Sequence, residues 1–421
     1  MHDFHYKNEV LHCEEVSVQE LAGAVGTPFY LYSNRTLTNH YRVFDESFSG
    51  MPHLICYALK ANSNLALLRI FIRNGAGLDI VSGGELFRGI RAGVDPAKVV
   101  YSGVGKKIEE IDAAIAAGIL MFNVESSQEL EVINDRARQS GIKAGIALRV
   151  NPDVNPETHP YISTGLRENK FGIDIQKSLE QYRHAAKLPW LDIKGVSCHI
   201  GSQITKIAPF VDALEKLKIL MNNLKKEGFN IRYLDLGGGL GITYNEETPP
   251  HPVDYARALM DAGKDLDCTF IFEPGRVIVG NAGIMVTSVL YTKNTDQKNF
   301  VIVDAGMNDL IRPSLYSAYQ FIQPVIRRAG EEIVADIVGP ICESGDFLAK
   351  GRRIPRLERG ELAAVMSAGA YGFAMASNYN SRPRVPEVLV SGDKYFVIRK
   401  REQYEDLIRG EEIPGFLRDE E

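Results

Sequence analysis

The chain has 421 residues, a length that predicts two or three domains with a sizeable core. Its 45% hydrophobic and 24% charged residues are typical of a soluble globular protein and argue against disordered and fibrous classes. The formal net charge of -6 comes without a basic block, so nucleic acid is a poor partner.

Short apolar runs alternate with amphipathic segments from residue 54 to residue 275. This alternation predicts an α/β fold, a (β/α)8 TIM barrel over residues 33–280, with a doubly wound open sheet as the alternative. The predicted strands are 54–61, 77–82, 99–103, 120–126, 145–150, 193–201, 233–239 and 269–275. The predicted helices include 35–47, 64–74, 84–92, 106–117 and 209–226.

After residue 280 the pattern changes to short alternating runs with few helical signals, which predicts a second, mainly β domain. We expect the first thirty or so residues, which end in Pro28-Phe29-Tyr30-Leu31-Tyr32, to add a strand to it. The second domain would then contain residues 1–32 and 281–421. Its predicted strands are 284–290, 300–303, 333–338, 361–365 and 387–390.

The cysteines argue against disulfides and zinc. They are five in number, without a Cys-x-x-Cys pair, and no His-Glu-x-x-His motif is present, so we expect no metal. The first residues do not resemble a signal peptide, and no run approaches the roughly 20 apolar residues of a membrane helix. We therefore expect a cytoplasmic protein without membrane contact.

Polar residues stand at the ends of several predicted barrel strands, where barrel enzymes build their active sites. They are Lys60, Asp79, His199 with Ser202, the triglycine Gly237-Gly238-Gly239, and Glu273 with Gly275 and Arg276. A lone lysine there is usually a solvated charge, but a desolvated lysine has a lowered pKa and can form a Schiff base. Cys198 would point away from His199 on the strand, which argues against a metal pair.

The triglycine and Glu273 indicate which kind of cofactor the site would bind. Three glycines between a strand and a helix let backbone N–H groups approach a phosphate, although any tight turn could also use them. Glu273 beside Arg276 offers a carboxylate and a cation within one turn, which suits a cofactor with both a basic ring nitrogen and a phosphate. Together with the lysine and the histidine, these residues predict pyridoxal 5'-phosphate.

At these residues the sequence resembles the barrel-type (alanine racemase-like, fold type III) pyridoxal-phosphate decarboxylases. Within them it is most similar to the diaminopimelate decarboxylases, from the Tyr57-Ala58-Leu59-Lys60-Ala61-Asn62 segment to Ser367-Ala368-Gly369-Ala370-Tyr371-Gly372. The resemblance implies a lyase of lysine biosynthesis that removes carbon dioxide from meso-2,6-diaminopimelate to give L-lysine.

The resemblance also implies a role for each cofactor residue. Lys60 would bind the cofactor aldehyde, His199 would stack on its ring, and Glu273 would keep the ring nitrogen protonated. The phosphate would be held by Ser202, Gly237, Gly238, Gly239, Gly275 and Arg276. Tyr371 would close the site from the second domain, and Asp79 would lie near the cofactor.

The segment Ile341-Cys342-Glu343-Ser344-Gly345-Asp346 resembles the part of the family that enters the active site of a partner subunit, which implies a homodimer. Cys342 would return a proton to the α-carbon, although a buried structural cysteine is the alternative. The distal amino-acid head of the substrate would be bound by Arg276, Arg312, Tyr316, Glu343 and Tyr371. Gln320 departs from the family, where a histidine is more usual.

Beside a racemase, which would need a second base that faces the opposite side of the cofactor, two rival functions remain open on the sequence. One is a decarboxylase of the same fold that acts on ornithine, arginine or carboxynorspermidine. The other is a non-catalytic homologue that binds the cofactor or a protein partner. Residues 151–173 form a long polar stretch after the fifth predicted strand and predict either a lid or an ordinary surface loop.

Overall fold

The structure, a computed structural model, describes residues 2–155 and 170–417. Most of the predicted lid, residues 156–169, lies outside the described residues. The chain divides into two compact units. The first contains Asn34–Gly283 and Gly369–Ala374, and the second contains Asp3–Ser33, Ile284–Ala368 and the residues from Met375 onward. None of the helices in the described ranges combines the length and the apolar character that crossing a membrane requires.

The chain begins in the second unit with a small antiparallel sheet, and a helix then leads to one strand of a larger sheet. These elements are β1 (Phe4–Lys7), β2 (Val10–Cys13), β3 (Val16–Ser17), α1 (Val18–Val25) and β4 (Phe29–Ser33). All five residues of β4 are buried, as expected for a strand with neighbours on both sides.

The first unit is a barrel of parallel strands surrounded by helices. The strands are β5 (His53–Ala58), β6 (Gly77–Ile80), β7 (Val99–Tyr101), β8 (Met121–Val124), β9 (Ala144–Asn151), β10 (Ile173–Asp174), β11 (Leu191–Ser197), β12 (Tyr233–Asp235) and β13 (Thr269–Phe272). The helices are α2 (Asn34–Glu46), α3 (Leu65–Arg73), α4 (Gly83–Ala92), α5 (Ile108–Ala117), α6 (Ser127–Ser140), α7 (Ile175–Ala185), α8 (Ala208–Lys226), α9 (Pro252–Gly263) and α10 (Arg276–Val279).

Strand pairing closes the barrel. Parallel pairing runs from β5 through β6, β7 and β8 to β9, and then from β9 through β11, β12 and β13 back to β5. The short strand β10 pairs only with the end of β9 among the described residues. Eight strands of the described chain therefore form the closed barrel, which confirms the predicted (β/α)8 fold.

The predicted strands extend too far at their C-terminal ends. The chain leaves β5 at Ala58 and enters a 3-10 turn over Leu59–Ala61, and it leaves β12 at Asp235, before the glycines. Leu59 and Ala61 are buried although they lie outside the strand, so an apolar pattern continues through the turn. The continuing apolar pattern explains why the predicted strand is too long. Lys60 lies in the 3-10 turn rather than in the strand.

Local signals explain where the barrel helices begin and end. Ser82 and Ser126 accept hydrogen bonds from the backbone N–H groups of Glu85 and Glu129 and so cap α4 and α6. Gly93 ends α4 in the left-handed conformation, at a φ of 84°, which a glycine adopts without steric cost.

The barrel is held by two apolar regions. Small and medium side chains from several strands form one cluster: Cys56, Val100, Leu120, Met121, Ala147 and Ile271. Aromatic rings pack between α2, α9 and β13, where Phe48 stacks on Phe272 with ring centroids 3.9 Å apart and Tyr255 meets Phe48 edge-on. Each fully buried side chain of this size stabilises the fold by about 1.5–3 kcal/mol.

The rest of the second unit is mainly β, as predicted. Its elements are β14 (Gly283–Asn294), β15 (Asn299–Val303), α11 (Arg312–Tyr316), β16 (Ile322–Pro324), β17 (Glu332–Val338), β18 (Phe347–Pro355), β19 (Leu362–Val365), β20 (Glu387–Ser391), β21 (Lys394–Arg399) and α12 (Tyr404–Leu407). The larger sheet has the order β18-β17-β15-β14-β4-β20-β21. Because β4 pairs with β20, the predicted contribution of the N-terminal strand is confirmed.

Burial of Asp309 in the second unit makes the free energy of unfolding depend on pH. Asp309 is 1% exposed and accepts a hydrogen bond from the Gly306 N–H at 3.0 Å, and burial raises its pKa to about 6. The folded chain therefore binds a proton at this group more tightly than the unfolded chain. Its contribution to stability is present at low pH and is lost as the pH rises through about 6.

We expect Asp309→Asn to remove this dependence. Between pH 5 and pH 8 the unfolding free energy of the native chain should fall by about 1 kcal/mol more than that of the variant. Denaturant unfolding at the two pH values measures the difference. Asp296→Asn, at an exposed position, is the control. Parallel pH profiles for the native chain and Asp309→Asn would contradict the assignment.

Candidate active site

A cavity of about 350 Å³ lies where the barrel strands end. Its volume is within the range of small-molecule sites. Its polar lining residues are Lys60, Ser102, Asn123, Arg149, Ser197, His199 and Glu273. A neighbouring recess shares Lys60, His199 and Glu273 and adds Ser202, Gly238, Gly239, Gly275, Arg276 and Tyr371. The structure thus brings the residues predicted from separate strand ends to one place.

Lys60 forms an ion pair with a fully buried acid. Its Nζ donates to Asp79 Oδ2 at 2.6 Å, while Asp79 Oδ1 has no hydrogen-bond partner within the described residues. Burial lowers the pKa of Lys60, but the charges of Asp79 and Glu273 outweigh it and the pKa is raised. The expected lowering of a desolvated lysine is therefore wrong for this chain, because an acid that the prediction did not pair with Lys60 holds its amine as a cation.

Glu273 lies deep in the site within a network of polar side chains. Asn123 Nδ2 donates to Glu273 Oε1 at 3.3 Å and to Asp235 Oδ2 at 2.9 Å, and the two carboxyl groups hydrogen-bond to each other. Burial raises the pKa of Glu273 well above its usual range, and the charge of Asp235 raises it further. A proton is therefore available where Glu273 faces the cavity.

His199 is held as a neutral ring. Its Nδ1 accepts a hydrogen bond from the Gly238 N–H at 3.2 Å. Burial lowers the pKa of His199 well below its usual value, and the nearby charges of Lys60 and Arg149 lower it further. The strand β11 ends at Ser197, so Cys198 and His199 follow the strand, and both residues line the cavity.

The triglycine turn packs too closely for side chains. Gly237 and Gly239 have φ values of 66° and 115°, and a Cβ added to Gly238 would lie 2.1 Å from the Glu273 carbonyl oxygen. Gly275 is also tight, because its Cβ would lie 3.0 Å from that of Ala61. Because these glycines carry no side chain, their backbone can be approached closely by a ligand, which is the property that phosphate binding needs.

Arg276 lies next to this turn in a fixed position. Its guanidinium donates to Ser202 Oγ at 3.0 Å and to Tyr244 Oη at 2.7 Å, and it lies 4.8 Å from the centre of the Tyr371 ring. Tyr371 belongs to the segment Gly369–Ala374, which groups with the barrel although it follows β19 in the chain. Its N–H donates to the Ala61 carbonyl at 2.8 Å.

Four other predicted site residues lie in the second unit: Arg312, Tyr316, Cys342 and Glu343. Arg312 and Tyr316 stand on α11, and Arg312 is buried. Gln320, the departure from the family pattern, is fully buried; with its amide oriented to satisfy both ends it accepts from Arg312 at 2.6 Å and donates to the Met366 carbonyl at 2.6 Å. Gln320 therefore positions the arginine that the substrate prediction depends on.

The backbone of the segment around Cys342 is anchored by a buried aspartate, while two of its side chains are exposed. Buried Asp346 accepts hydrogen bonds from the N–H groups of Ile341 and Met307 at 2.6 and 2.7 Å. Cys342 and Glu343 are exposed, and Tyr379 donates to Glu343 at 2.9 Å. The alternative of a buried structural cysteine is therefore wrong for Cys342 in the single chain.

Several polar residues of the site were not predicted from the sequence, among them Asn123, Arg149 and Asp235. Asn123 and Arg149 each interrupt an otherwise apolar barrel strand, and Asp235 is the last residue of β12. Arg149 pairs with Glu125 at 2.7 Å and lies 4.7 Å from the ring centre of Phe171. A polar residue within a fully buried strand was the signal that could have identified them.

Comparison with known proteins places the chain in a family. Residues 34–280 match the family described as pyridoxal-dependent decarboxylase, pyridoxal binding domain. Diaminopimelate decarboxylase of Vibrio cholerae is 53% identical over 96% of this chain and 97% of its own. The chain belongs to the diaminopimelate decarboxylase family. The resemblance predicted from the strand-end motifs is thereby confirmed, as is the class of pyridoxal-phosphate-dependent amino-acid decarboxylases.

Solved structures of the family agree over the full fold. Diaminopimelate decarboxylase of Helicobacter pylori, complexed with L-lysine, has a TM-score of 0.90 at 45% identity and covers 93% of this chain and 98% of its own. The M. jannaschii family member, in co-complex with L-lysine, has a TM-score of 0.94 at 39% identity and covers 98% of each chain.

The residues present fit pyridoxal phosphate. Lys60 supplies a paired amine in the cavity wall, and Glu273 supplies a buried carboxyl group for the ring nitrogen. At the far side, side chains on the glycines would clash with the backbone, so this part of the recess stays open to a phosphate. Arg276 and Ser202 add a cation and a hydroxyl group beside it.

Proposed function

We propose that this chain decarboxylates meso-2,6-diaminopimelate to L-lysine and carbon dioxide. One observation carries the proposal: Lys60, which is paired with Asp79, and Glu273 line both recesses of one barrel, and Gly238 and Gly239 of the triglycine turn line the second recess. This arrangement offers an amine, an acid and a phosphate site together, within a family of that activity.

Separate residues of the chain would bind the cofactor, orient the lysine amine and hold a proton. Bound pyridoxal phosphate supplies a ring that accepts the electron pair left at the α-carbon when carbon dioxide departs. Glu273 holds a proton for the ring nitrogen, and neutral His199 offers a flat face to the ring. Asp79 holds the Lys60 amine in position, while Gly237, Gly238, Gly239, Gly275, Ser202 and Arg276 hold the phosphate.

In this proposal the distal amino-acid head of the substrate is bound by Arg312, Tyr316 and Glu343. Arg312 can bind a carboxylate with two parallel hydrogen bonds, Tyr316 can add a hydroxyl group, and Glu343 can take the distal ammonium. Arg276 and Tyr371 are the other two substrate-binding residues of the proposal. The two relatives complexed with L-lysine support an amino-acid ligand of this length.

The proposal includes a homodimer with shared active sites. Cys342 is exposed on a segment anchored by Asp346, so its thiol can reach the site of a partner and return a proton to the α-carbon. We also place the enzyme in the cytoplasm. All five cysteines are free thiols, as is usual for proteins in a reducing compartment.

A substrate panel tests the proposed reaction. The purified chain, loaded with pyridoxal phosphate, should release carbon dioxide from meso-diaminopimelate far faster than from L-lysine, L-ornithine or L-arginine. The product should be L-lysine in equal amount. Preferred turnover of ornithine or arginine would support the rival decarboxylase, and cofactor binding without turnover of any amino acid would support a non-catalytic homologue.

Mixing two inactive variants tests the shared site. We expect Lys60→Ala and Cys342→Ala to be inactive alone, whereas dissociation and reassociation of an equal mixture should restore about a quarter of native activity, since half of the dimers then contain one intact site. Cys268→Ala, at a buried cysteine away from the site, is the control for cysteine loss. A mixture as inactive as its components would exclude shared sites.

A further inference from the structure

Asp235 is a buried acid that the proposed chemistry leaves without a role. It is the last residue of β12, is fully buried and stands two residues before Gly237, the first glycine of the triglycine turn. Its Oδ1 accepts a hydrogen bond from the Gly237 N–H at 2.9 Å, and its Oδ2 accepts one from Asn123 Nδ2 at 2.9 Å. Its carboxyl group also hydrogen-bonds that of Glu273.

A hydrogen bond between two carboxyl groups requires one proton, and the surroundings indicate which group carries it. Asp235 already accepts from two donors, which favours its charged form, whereas Glu273 receives only longer contacts, 3.3 Å from Asn123 and 3.4 Å from Ser102. Burial raises the pKa of Glu273 well above its usual range but that of Asp235 only to about 6. At neutral pH Glu273 is therefore the donor and Asp235 the acceptor.

We infer that Asp235 is a positioning residue for Glu273. It links Glu273, the acid proposed to bind the ring nitrogen of the cofactor, to the triglycine turn, which is proposed to bind the phosphate. Asp235 fixes the Glu273 carboxyl group at the cavity wall and keeps a proton on it. Through the Gly237 N–H, the same side chain sets the start of the glycine turn. The inference rests on the proposed function only in taking the ligand to be pyridoxal phosphate.

The test compares two ligands that differ at one atom. Pyridoxal phosphate has a ring nitrogen for Glu273, whereas its 1-deaza analogue has a C–H group there and keeps the aldehyde and the phosphate. The chain stripped of cofactor is titrated with each ligand in the absence of substrate. We expect the native chain to prefer pyridoxal phosphate and Asp235→Asn to lose about tenfold or more of that preference. Affinity for the analogue should change by less than about threefold.

A double variant separates positioning from simple support of the fold. Glu273→Gln should lose the same preference, and adding Asp235→Asn to it should lose little more, because Asp235 acts through Glu273. Additive losses would overturn the inference. Equal weakening of both ligands by Asp235→Asn would also overturn it, since Asp235 would then support only the glycine turn.

Two further variants keep the result interpretable. Asp309→Asn also removes a buried aspartate that accepts a glycine N–H, but in the second unit, and it should keep the native ligand preference. Should Asp235→Asn fail to fold, Asn123→Ala removes the amide that donates to both carboxyl groups. It should lower the preference in the same direction, and an unchanged preference there would count against the inference. Because no substrate is added, an inactive enzyme would not obscure the outcome.

Discussion

Lys60→Ala is expected to reduce decarboxylation of meso-diaminopimelate by about a thousandfold or more. The variant loses the amine that binds the cofactor aldehyde, and Asp79 loses the cation that compensates its buried charge. Absorbance near the visible edge from the lysine-bound cofactor should disappear at the same time. Rate measurements at saturating cofactor, together with the spectrum, test both effects.

The matched control is Lys98→Ala. Lys98 stands just before β7, at the opposite end of the barrel, and donates to the Gly75 carbonyl at 3.2 Å. It should retain native turnover and the native spectrum. Full turnover by Lys60→Ala would remove the basis of the proposed function.

Arg312→Ala is expected to lower kcat/KM for meso-diaminopimelate by about a hundred- to a thousandfold. The arginine is proposed to bind the distal carboxylate with two charge-assisted hydrogen bonds, each of which contributes about 1.5–3 kcal/mol. L-Lysine keeps that carboxylate after the reaction, whereas cadaverine lacks it. Inhibition by L-lysine should therefore weaken strongly in the variant, and inhibition by cadaverine should change by less than about threefold.

Two variants control for the loss of charge and of packing. Arg312→Lys keeps a cation but cannot form the paired hydrogen bonds, so its effect should be intermediate. Arg353→Ala removes an exposed arginine of the same unit and should leave both inhibitors unaffected. Equal weakening of L-lysine and cadaverine by Arg312→Ala would contradict recognition of the distal carboxylate.

The sequence predicted the barrel well because parallel strands buried on both faces produce continuous apolar runs. The strand β7, in which Val99, Val100 and Tyr101 are all buried, is an example. The second unit was harder to predict. Strands β18 and β21 were missed, because β18 contains Lys350, Arg352 and Arg353 and most of β21 is exposed, so neither shows a clear apolar face.

The sequence predicted those site residues whose type alone indicates a chemical role at the end of a barrel strand. Lys60, Glu273 and the glycines were found because an amine, an acid and a close turn at the ends of barrel strands together suit few cofactors other than pyridoxal phosphate. Asp235 and Asn123 were not found, because their role depends on hydrogen bonds between strands that are distant in sequence. The pKa direction of Lys60 failed for the same reason, since the partner charge comes from the neighbouring strand.

The pairing of β13 with β5 joins residues more than 200 positions apart in the chain, with Phe270 beside His53. Until β13 has left the ribosome, both β5 and β12 present unpaired edges, and Glu273 is missing from the wall of the cavity. Capture of the cofactor therefore follows synthesis of the whole barrel. A nascent chain that ends before β13 therefore presents two strand edges to other chains, and unpaired edges of this kind favour aggregation.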